Sequence, residues 1–353
     1  MFIFCRNFDF PNDDFMILQQ SVSLKPYNTF GIDATCRYFV ELKQRDDVEK
    51  WVAMQQQSHN SFFILGGGSN VVFHQWIEKS VVKVSLRGIE TVKEDAVHVW
   101  IKAAAGEIWS NFVTFCIENG WGGVENLTDI PGTVGAAPVQ NVGAYGVEAK
   151  DVIETVECIE IATGQWKKLS NAECQFGYRD SIFKQAFKNQ YIITAVFFRL
   201  AKKPKLQLTY GGISSRLERE GIEQPTIADV SRVVNKLRVN KLPDPAIIGS
   251  AGSFFKNPIV SHEKFAVLLQ NFPDLVAFPL EKSIKIAAGW LIEQCGWKGK
   301  QLGRVGVYPQ QALVLYNLGG CTGEEVKQLA NAIQQSVKEK FDIELEPEAI
   351  FIE

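Results

Sequence analysis

The chain has 353 residues, enough for two or three domains with a sizeable core, and 46% hydrophobic with 22% charged content is ordinary for a globular protein. A formal net charge of −3 gives no electrostatic case for nucleic acid or an anionic membrane as partner. The cysteines, Cys5, Cys36, Cys116, Cys158, Cys174, Cys295 and Cys321, are scattered without a C-x-x-C, which speaks against a metal site or disulfide framework and for reduced thiols in a cytoplasm.

Met1 to Phe15 is interrupted by Arg6, Asp9, Asp13 and Asp14 and has no small-residue cleavage site, so it does not read as a secretory signal. No apolar run of about 18 residues predicts a membrane-spanning helix. Arg37 to Leu42 predicts a strand and Asp46 to Gln57 an amphipathic helix. Phe62 to Leu65 and Val71 to Phe73 predict two strands around the bare-backbone turn Gly66-Gly67-Gly68-Ser69-Asn70. Val81 to Leu86 and Val97 to Lys102 are β-rich, and Gly106 to Glu118 predicts a helix stopped at Asn119-Gly120.

Gly120 to Gly146 then carries seven glycines and two prolines in 27 residues, with only Glu125 and Asp129 charged. It is too rich in breakers for a long helix and too apolar for a solvated linker, so an ordered loop is expected. Val152 to Ile161 and Gln165 to Lys168 predict a hairpin, Ser170 to Glu173 has capping-box spacing for a short helical turn, and Tyr191 to Leu200 predicts a strong strand. Lys202 to Lys205 reads as the linker. Beyond it, helices are predicted at Ile227 to Val239, His262 to Asn271, Ile286 to Cys295 and Glu324 to Phe341. Strands are predicted at Ala312 to Tyr316 and Ala349 to Ile352.

Two glycine-rich turns in one half of a chain offer many backbone N–H groups that no ladder satisfies, as a clamp around a dinucleotide's diphosphate would. A series of tight turns between strands is the alternative on composition alone. No G-x-G-x-x-G opens a helix with an acidic residue about 20 positions on, and no glycine loop ends in Gly-Lys-Ser/Thr. That argues against a Rossmann domain and against a phosphate-transfer loop.

Asn28-Thr29-Phe30-Gly31-Ile32-Asp33, the Leu65 to Asn70 turn, Ile130-Pro131-Gly132-Thr133-Val134-Gly135 and Gln140 to Gly146 together resemble the UDP-N-acetylenolpyruvoylglucosamine reductases, in the family's order, from about Leu24 to Ile352. The resemblance implies an α+β fold. An FAD-binding domain of the PCMH, or vanillyl-alcohol-oxidase-like, type with two α+β subdomains is expected over 23–201. A C-terminal α+β substrate domain is expected over 206–353. Residues 1–22 are then an N-terminal extension, with Met16 an alternative start.

The same resemblance assigns residues. Gly66, Gly67, Gly68, Ser69, Asn70, Pro131, Gly132, Gly135, Ala136, Ala137, Asn141, Gly143 and Arg238 are implied to hold FAD without a covalent tether. Ala136-Ala137 replaces a pair that often bears hydroxyls near the flavin, so backbone N–H groups are expected to make those contacts. Arg179, in Tyr178-Arg179-Asp180-Ser181, is implied to bind the substrate carboxylate, a task that suits a planar bidentate donor. Without the family, Arg179 and Asp180 read as a surface pair.

Ser253, in Gly252-Ser253-Phe254-Phe255-Lys256-Asn257-Pro258, is implied to be the proton donor, and Glu348, in Glu346-Pro347-Glu348-Ala349-Ile350, the catalytic carboxylate. The family's Val-Arg after that glutamate is Ala349-Ile350 here, so a local arginine is missing. Lys241, Tyr210 of Tyr210-Gly211-Gly212-Ile213, Asn257 and Gln311 are implied to bind substrate, Tyr210 as the lid of the longer, type I form. Read alone, Ser253 is a turn hydroxyl, Arg238 and Lys241 are the basic end of a helix, and Asn257 and Gln311 are ordinary core or turn polarity.

The implied reaction is an NADPH-dependent, FAD-mediated reduction of a nucleotide-sugar enolpyruvyl ether by a cytoplasmic monomer, without metal, nucleic acid or membrane. Two alternatives stay open on the residues: a flavin oxidase of the same superfamily, and a non-enzymatic binding protein. His59, His74, His98 and His262 all lie outside the glycine loops, which disfavours a covalent tether from those loops.

Overall fold

A computed structural model describes residues 18–244 and 246–353, so residues 1–17 of the expected 1–22 extension, with the alternative start at Met16, lie outside the described residues. The chain forms two compact units. The first comprises residues up to Val22, Cys36–Gly67 and Glu78–Arg238; the second comprises Ser23–Thr35, Gly68–Ile77 and Val239–Glu353.

The first unit holds two main sheets. One orders its strands as Gln19–Ser23, Thr35–Leu42, Trp76–Val84 and Phe62–Leu65, the last two parallel with Leu65 opposite Lys83. Helix α1 (Arg45–Ser58) follows the second strand in sequence and buries Val48, Trp51, Val52 and Gln55 at helical spacing. The other sheet is antiparallel: Trp166–Ser170, Ile153–Glu160, Tyr191–Ala201, His98–Ala104 and Ile89–Glu94. Its central strand, Tyr191–Ala201, is buried at every position except Arg199 and Ala201, because both faces are covered. His98–Ala104 beside it alternates between buried and half-buried.

Helix α2 (Trp109–Glu118) explains how the glycine loop is anchored. It buries Trp109, Phe112, Val113 and Cys116 on one face, and the Phe112 ring packs 4.4 Å from that of Phe198 on the central strand. Each such fully buried ring stabilises the fold by about 1.5–3 kcal/mol. At its end Gly120 takes a φ of 75°, where a side chain would be strained, and the chain turns into the loop.

Helices α3 (Ile213–Arg219) and α4 (Ile227–Val239) bury Ile213, Leu217, Val230, Val233 and Val234 against Tyr145, Leu206 and Leu208. The compact units divide the chain at other points than the expected linker Lys202 to Lys205. Chain from Lys202 to Arg238 stays with the first unit because Asn126 donates to the Gln207 carbonyl at 2.9 Å and a Cβ on Gly122 would lie 2.6 Å from Pro204 Cβ. Conversely, Ser23–Thr35 and Gly68–Ile77 join the second unit, so neither unit is one continuous stretch.

The second unit contains the sheets Ser250–Ser253, Val314–Asn317, Val305–Val307, Gln301–Leu302 and Ile259–Val260, Ile284–Ile286, Ala277–Pro279. Ile350–Ile352 pairs in parallel with Val71–Phe73. Helices α5 (His262–Asn271), α6 (Ala288–Gln294) and α7 (Gly323–Phe341) complete it. Helix α7 opens on a capping box: Thr322 accepts from the Glu325 N–H and Glu325 accepts from the Thr322 N–H. The Ser170 to Glu173 box makes the same bonds but closes only a turn, without a helix. Helix α6 begins two residues later than expected because Ile286 ends a strand.

Candidate active site

In the first unit the two glycine clusters lie against each other. A Cβ on Gly67 would sit 2.6 Å from Gly132 Cα, and one on Gly66 2.9 Å from Thr133 Oγ1. Gly135 approaches Ala105 equally closely, at 2.5 Å for its missing Cβ. Gly67 and Gly135 are therefore required by close approach to neighbouring backbone, while Gly66 makes room for the Thr133 and Ala136 side chains. The N–H groups of Gly67 and Gly132 find no acceptor among the described residues. Ala136 and Ala137 differ from expectation: their N–H groups bond to the Thr133 and Val134 carbonyls in a short 3-10 turn, so they are not spare donors. Pro131 is exposed at the loop surface.

Asn141, fully buried, uses its whole side chain inside the protein. Its amide donates to Glu148 at 3.1 Å and to the Gly177 carbonyl at 2.9 Å, and its Oδ1 accepts from Lys150 N–H at 3.0 Å. It braces the loop and leaves no side-chain donor over. Ser181 adds a second brace, donating to the Val139 carbonyl at 2.6 Å.

Arg179 sits in a tight turn closed by reciprocal backbone bonds between Gly177 and Asp180, with an uncommon left-handed φ of 55°. Its Nη2 donates to the Gly143 carbonyl at 2.6 Å, and a side chain on Gly143 would crowd Arg179 Nη1 at 3.2 Å. Gly143 thus gives Arg179 its place beside the loop. Asp180 is not its partner: that carboxylate accepts from Ser181 N–H and Gln185 Nε2. The structure shows no Arg179–Asp180 ion pair of the kind the surface-pair alternative expects among the described residues.

Arg238, next to last in α4, has its Nε buried and without an acceptor among the described residues. Burial pushes its pKa below the usual guanidinium value, while Tyr145 and Asp129 act in the opposite sense. An anionic or carbonyl-bearing ligand would relieve that desolvated donor. Tyr210 is 39% exposed, and the missing side chain of Gly211 leaves room for the Tyr145 ring, 2.5 Å from where a Cβ would be. Asn126 and Tyr145, which sequence reasoning passed over, organise this corner. Asn126 donates to both the Tyr145 and Gln207 carbonyls at 2.9 Å.

In the second unit, Gly68 lies against Tyr27 and Asn28 with a φ of 68°, and Thr29 N–H donates to its carbonyl at 3.1 Å. Ser69 follows, half-buried. Asn70 Nδ2 donates to the Glu348 carbonyl at 3.0 Å and its own carbonyl accepts from Ile350 N–H. The Ser253 segment runs antiparallel to the Glu348 segment: Phe255 bridges Pro347, Glu348 N–H donates to Phe254 at 2.7 Å, and Lys256 N–H to Glu346 at 2.9 Å.

Ser253 is exposed, and Glu348 is half-buried. Asn257 Oδ1 accepts from Ala288 N–H at the start of α6, and Gln311 Oε1 accepts from Leu313 N–H. Each has its acceptor engaged and its amide N–H₂ without a recorded protein partner among the described residues. Lys241 is exposed. Among the described residues no group of three or more His, Cys, Asp or Glu is arranged to hold a metal, and no helix is long and apolar enough to cross a membrane.

Residues 36–170 match the family described as an FAD binding domain, and residues 244–352 match the C-terminal domain of UDP-N-acetylenolpyruvoylglucosamine reductase. The chain is 48% identical over 333 residues to the UDP-N-acetylenolpyruvoylglucosamine reductase of Chromobacterium violaceum, covering 94% of this chain and 98% of that one. The reductase of Bdellovibrio bacteriovorus is 47% identical over 335 residues, covering 95% and 99%. The solved UDP-N-acetylenolpyruvylglucosamine reductase (MurB) of Thermus caldophilus shares the fold, with a TM-score of 0.67 and 24% identity over 96% of this chain and 100% of that one.

An FAD-binding domain joined to this C-terminal domain defines a two-domain flavin oxidoreductase. The chain belongs to the UDP-N-acetylenolpyruvoylglucosamine reductase family. The non-enzymatic alternative is thereby closed. The loop geometry fits FAD: spare N–H groups at Gly67 and Gly132, no side chain between them, and a buried unpartnered arginine N–H at Arg238.

Proposed function

We propose that the protein reduces the enolpyruvyl ether of UDP-N-acetylglucosamine to UDP-N-acetylmuramate with NADPH as reductant, a step of peptidoglycan precursor synthesis, acting in the cytoplasm as a monomer. FAD, when bound, supplies hydride chemistry. The Gly66 to Asn70 and Pro131 to Gly143 segments and Arg238 hold it, Gly67 and Gly132 through their N–H groups, Asn141 by bracing the loop from within.

The chain's own groups handle the carboxylate and the proton. Arg179, with one guanidinium nitrogen fastened to Gly143, presents a preset cation to the substrate carboxylate and stabilises charge that spreads onto it as the adjacent carbon becomes electron-rich. Ser253 gives its proton to that carbon. A hydroxyl is a weak acid, but the carbon is a strong base at that moment, so a positioned hydroxyl suffices. Glu348 stabilises the same developing charge, which requires it to act as the neutral acid. Lys241 meets the substrate phosphates, Tyr210 covers the nucleotide, and the amide donors of Asn257 and Gln311 serve polar substrate atoms.

The observation that carries this reading is the pairing of the Ser253 and Glu348 segments, which come from distant parts of the sequence yet are held side by side by backbone bonds. The test is anaerobic flavin spectroscopy. The purified protein should carry flavin that NADPH bleaches and that the enolpyruvyl nucleotide restores. Colour that oxygen restores rapidly, with no response to the nucleotide, would favour an oxidase instead.

A further inference from the structure

Lys83 is not among the residues assigned to FAD or substrate. It lies on Trp76–Val84, opposite Leu65, the last residue before the Gly66-Gly67 turn. Its ammonium donates to the Gly66 carbonyl at 2.5 Å. Glu41 and Arg87 are the charged groups that face it. Glu41 is engaged elsewhere, with Lys43 at 3.2 Å and the Ser85 hydroxyl at 2.7 Å, and Arg87 is of like sign. Burial pushes the Lys83 pKa below its usual value, with Glu41 opposing and Arg87 adding to the shift. A partly desolvated cation is thus fastened to a neutral carbonyl, with no carboxylate in salt-bridge contact among the described residues.

The peptide unit explains what such a cation can do. It is planar and trans, so the Gly66 carbonyl and the Gly67 N–H point in opposite directions. Fastening the carbonyl to Lys83 aims the Gly67 N–H away from the lysine. That N–H has no acceptor among the described residues, and a side chain at Gly67 is barred by Gly132 Cα. Positive charge at the carbonyl end polarises the peptide, and a hydrogen bond polarised in this way donates more strongly from its other end.

We propose that Lys83 is a positioning residue for anion recognition: it orients and polarises the Gly66–Gly67 peptide so that its N–H receives the diphosphate of FAD. The inference rests on the reading of this turn as part of the FAD site. It assigns the charge complement of the diphosphate to a side chain behind the turn, in contact with the peptide and not with the cofactor.

The test uses the full chain freed of flavin, with FAD and riboflavin titrated by fluorescence and thermal unfolding followed without ligand. Lys83→Met keeps the length and removes charge and donor. The FAD Kd should rise about 10- to 100-fold, the range of a charge-assisted hydrogen bond, while riboflavin, which lacks phosphate, changes less than about threefold. The ligand-free midpoint should not fall, since a desolvated cation has been removed. Lys83→Gln, which keeps a donor without charge, should lie between, and it decides the matter if the Met variant does not fold.

An FAD Kd within about threefold of wild type in a folded variant, or equal losses for FAD and riboflavin, overturns the role given to Lys83. A wild-type chain that binds no FAD at all overturns the underlying site reading as well, so the two failures are distinguishable.

Discussion

Glu348 N–H donates to the Phe254 carbonyl at 2.7 Å, which ties the carboxylate-bearing residue to the immediate neighbour of Ser253. Phe254 and Phe255 are almost completely buried, and Asn70 holds the Glu348 carbonyl from a third segment. Two apolar anchors and one side-chain amide therefore fix the backbone beneath the Ser253 and Glu348 side chains. Such support from packed neighbours is what the proposed roles of Ser253 and Glu348 require.

Replacing Gly67 by Val tests the glycine loops. The new Cβ would meet Gly132 Cα, and the backbone shift that relieves it costs about 1–3 kcal/mol, as overpacking does. The variant should purify with little flavin, read as the ratio of visible to ultraviolet absorbance. A folded Gly67→Val protein with full flavin content would reduce the paired loops to mere turns.

Much of this loop was legible because glycine density without charge is informative. Helices α4 and α5 agree residue for residue with the expectation, since their apolar spacing is regular along their length. Less was legible where contacts are non-local. That Ala136 and Ala137 spend their N–H groups in a 3-10 turn depends on the Thr133 and Val134 carbonyls being turned inward. That α4 belongs with the glycine loop depends on Asn126 reaching Gln207. The strand Ile89–Glu94 has only its first residue packed against the core, so period-two patterning could not reveal it. Helix α3 buries two side chains over seven residues, too few for a periodic signal.

Glu325 makes the stability of the second unit pH-dependent. Its bonds to Arg304 and to the Thr322 N–H hold its pKa at about 2. A carboxylate depressed on folding contributes stability above its unfolded pKa, and that contribution is lost as pH falls through the folded value. Acid titration of thermal midpoints should therefore show a decline between the ordinary glutamate range and about 2, and Glu325→Gln should start lower at neutral pH and decline less. Parallel curves for the two proteins would remove Glu325 from the account.

Tyr210→Phe should weaken binding of the enolpyruvyl nucleotide more than it slows flavin reduction by NADPH. Tyr210 Cβ keeps its place by the Gly146 turn, 3.2 Å from where a Cβ on Gly146 would be, and only the hydroxyl is lost. A single hydrogen bond to a charged group is worth about 1.5–3 kcal/mol, so substrate Kd should rise about 10-fold or more. Equal effects on both half-reactions would identify Tyr210 as structural.

Ser253 and Glu348 separate chemistry from binding. Reduction by NADPH needs no proton at the substrate carbon, so Ser253→Ala should leave that half-reaction nearly unchanged. The substrate-dependent half-reaction should slow by about 10²- to 10⁴-fold, the usual consequence of losing a positioned general acid. Ser253 sits just beyond a strand irregularity at Ala251-Gly252, is exposed, and opposes Val314, so removing its hydroxyl opens no core cavity and should leave the thermal midpoint near that of the parent. Glu348→Gln keeps the backbone bonds to Phe254 and Asn70, because both use main-chain atoms of Glu348. Any loss of rate in that variant then reports the carboxyl group and not a displaced segment. It should impair the second half-reaction and spare the first. Stopped-flow traces of each half-reaction decide the assignment: a Ser253→Ala enzyme that reduces substrate at the parental rate would falsify the proton-donor role, and a fast Glu348→Gln enzyme would leave Arg179 as the sole stabiliser of the developing charge.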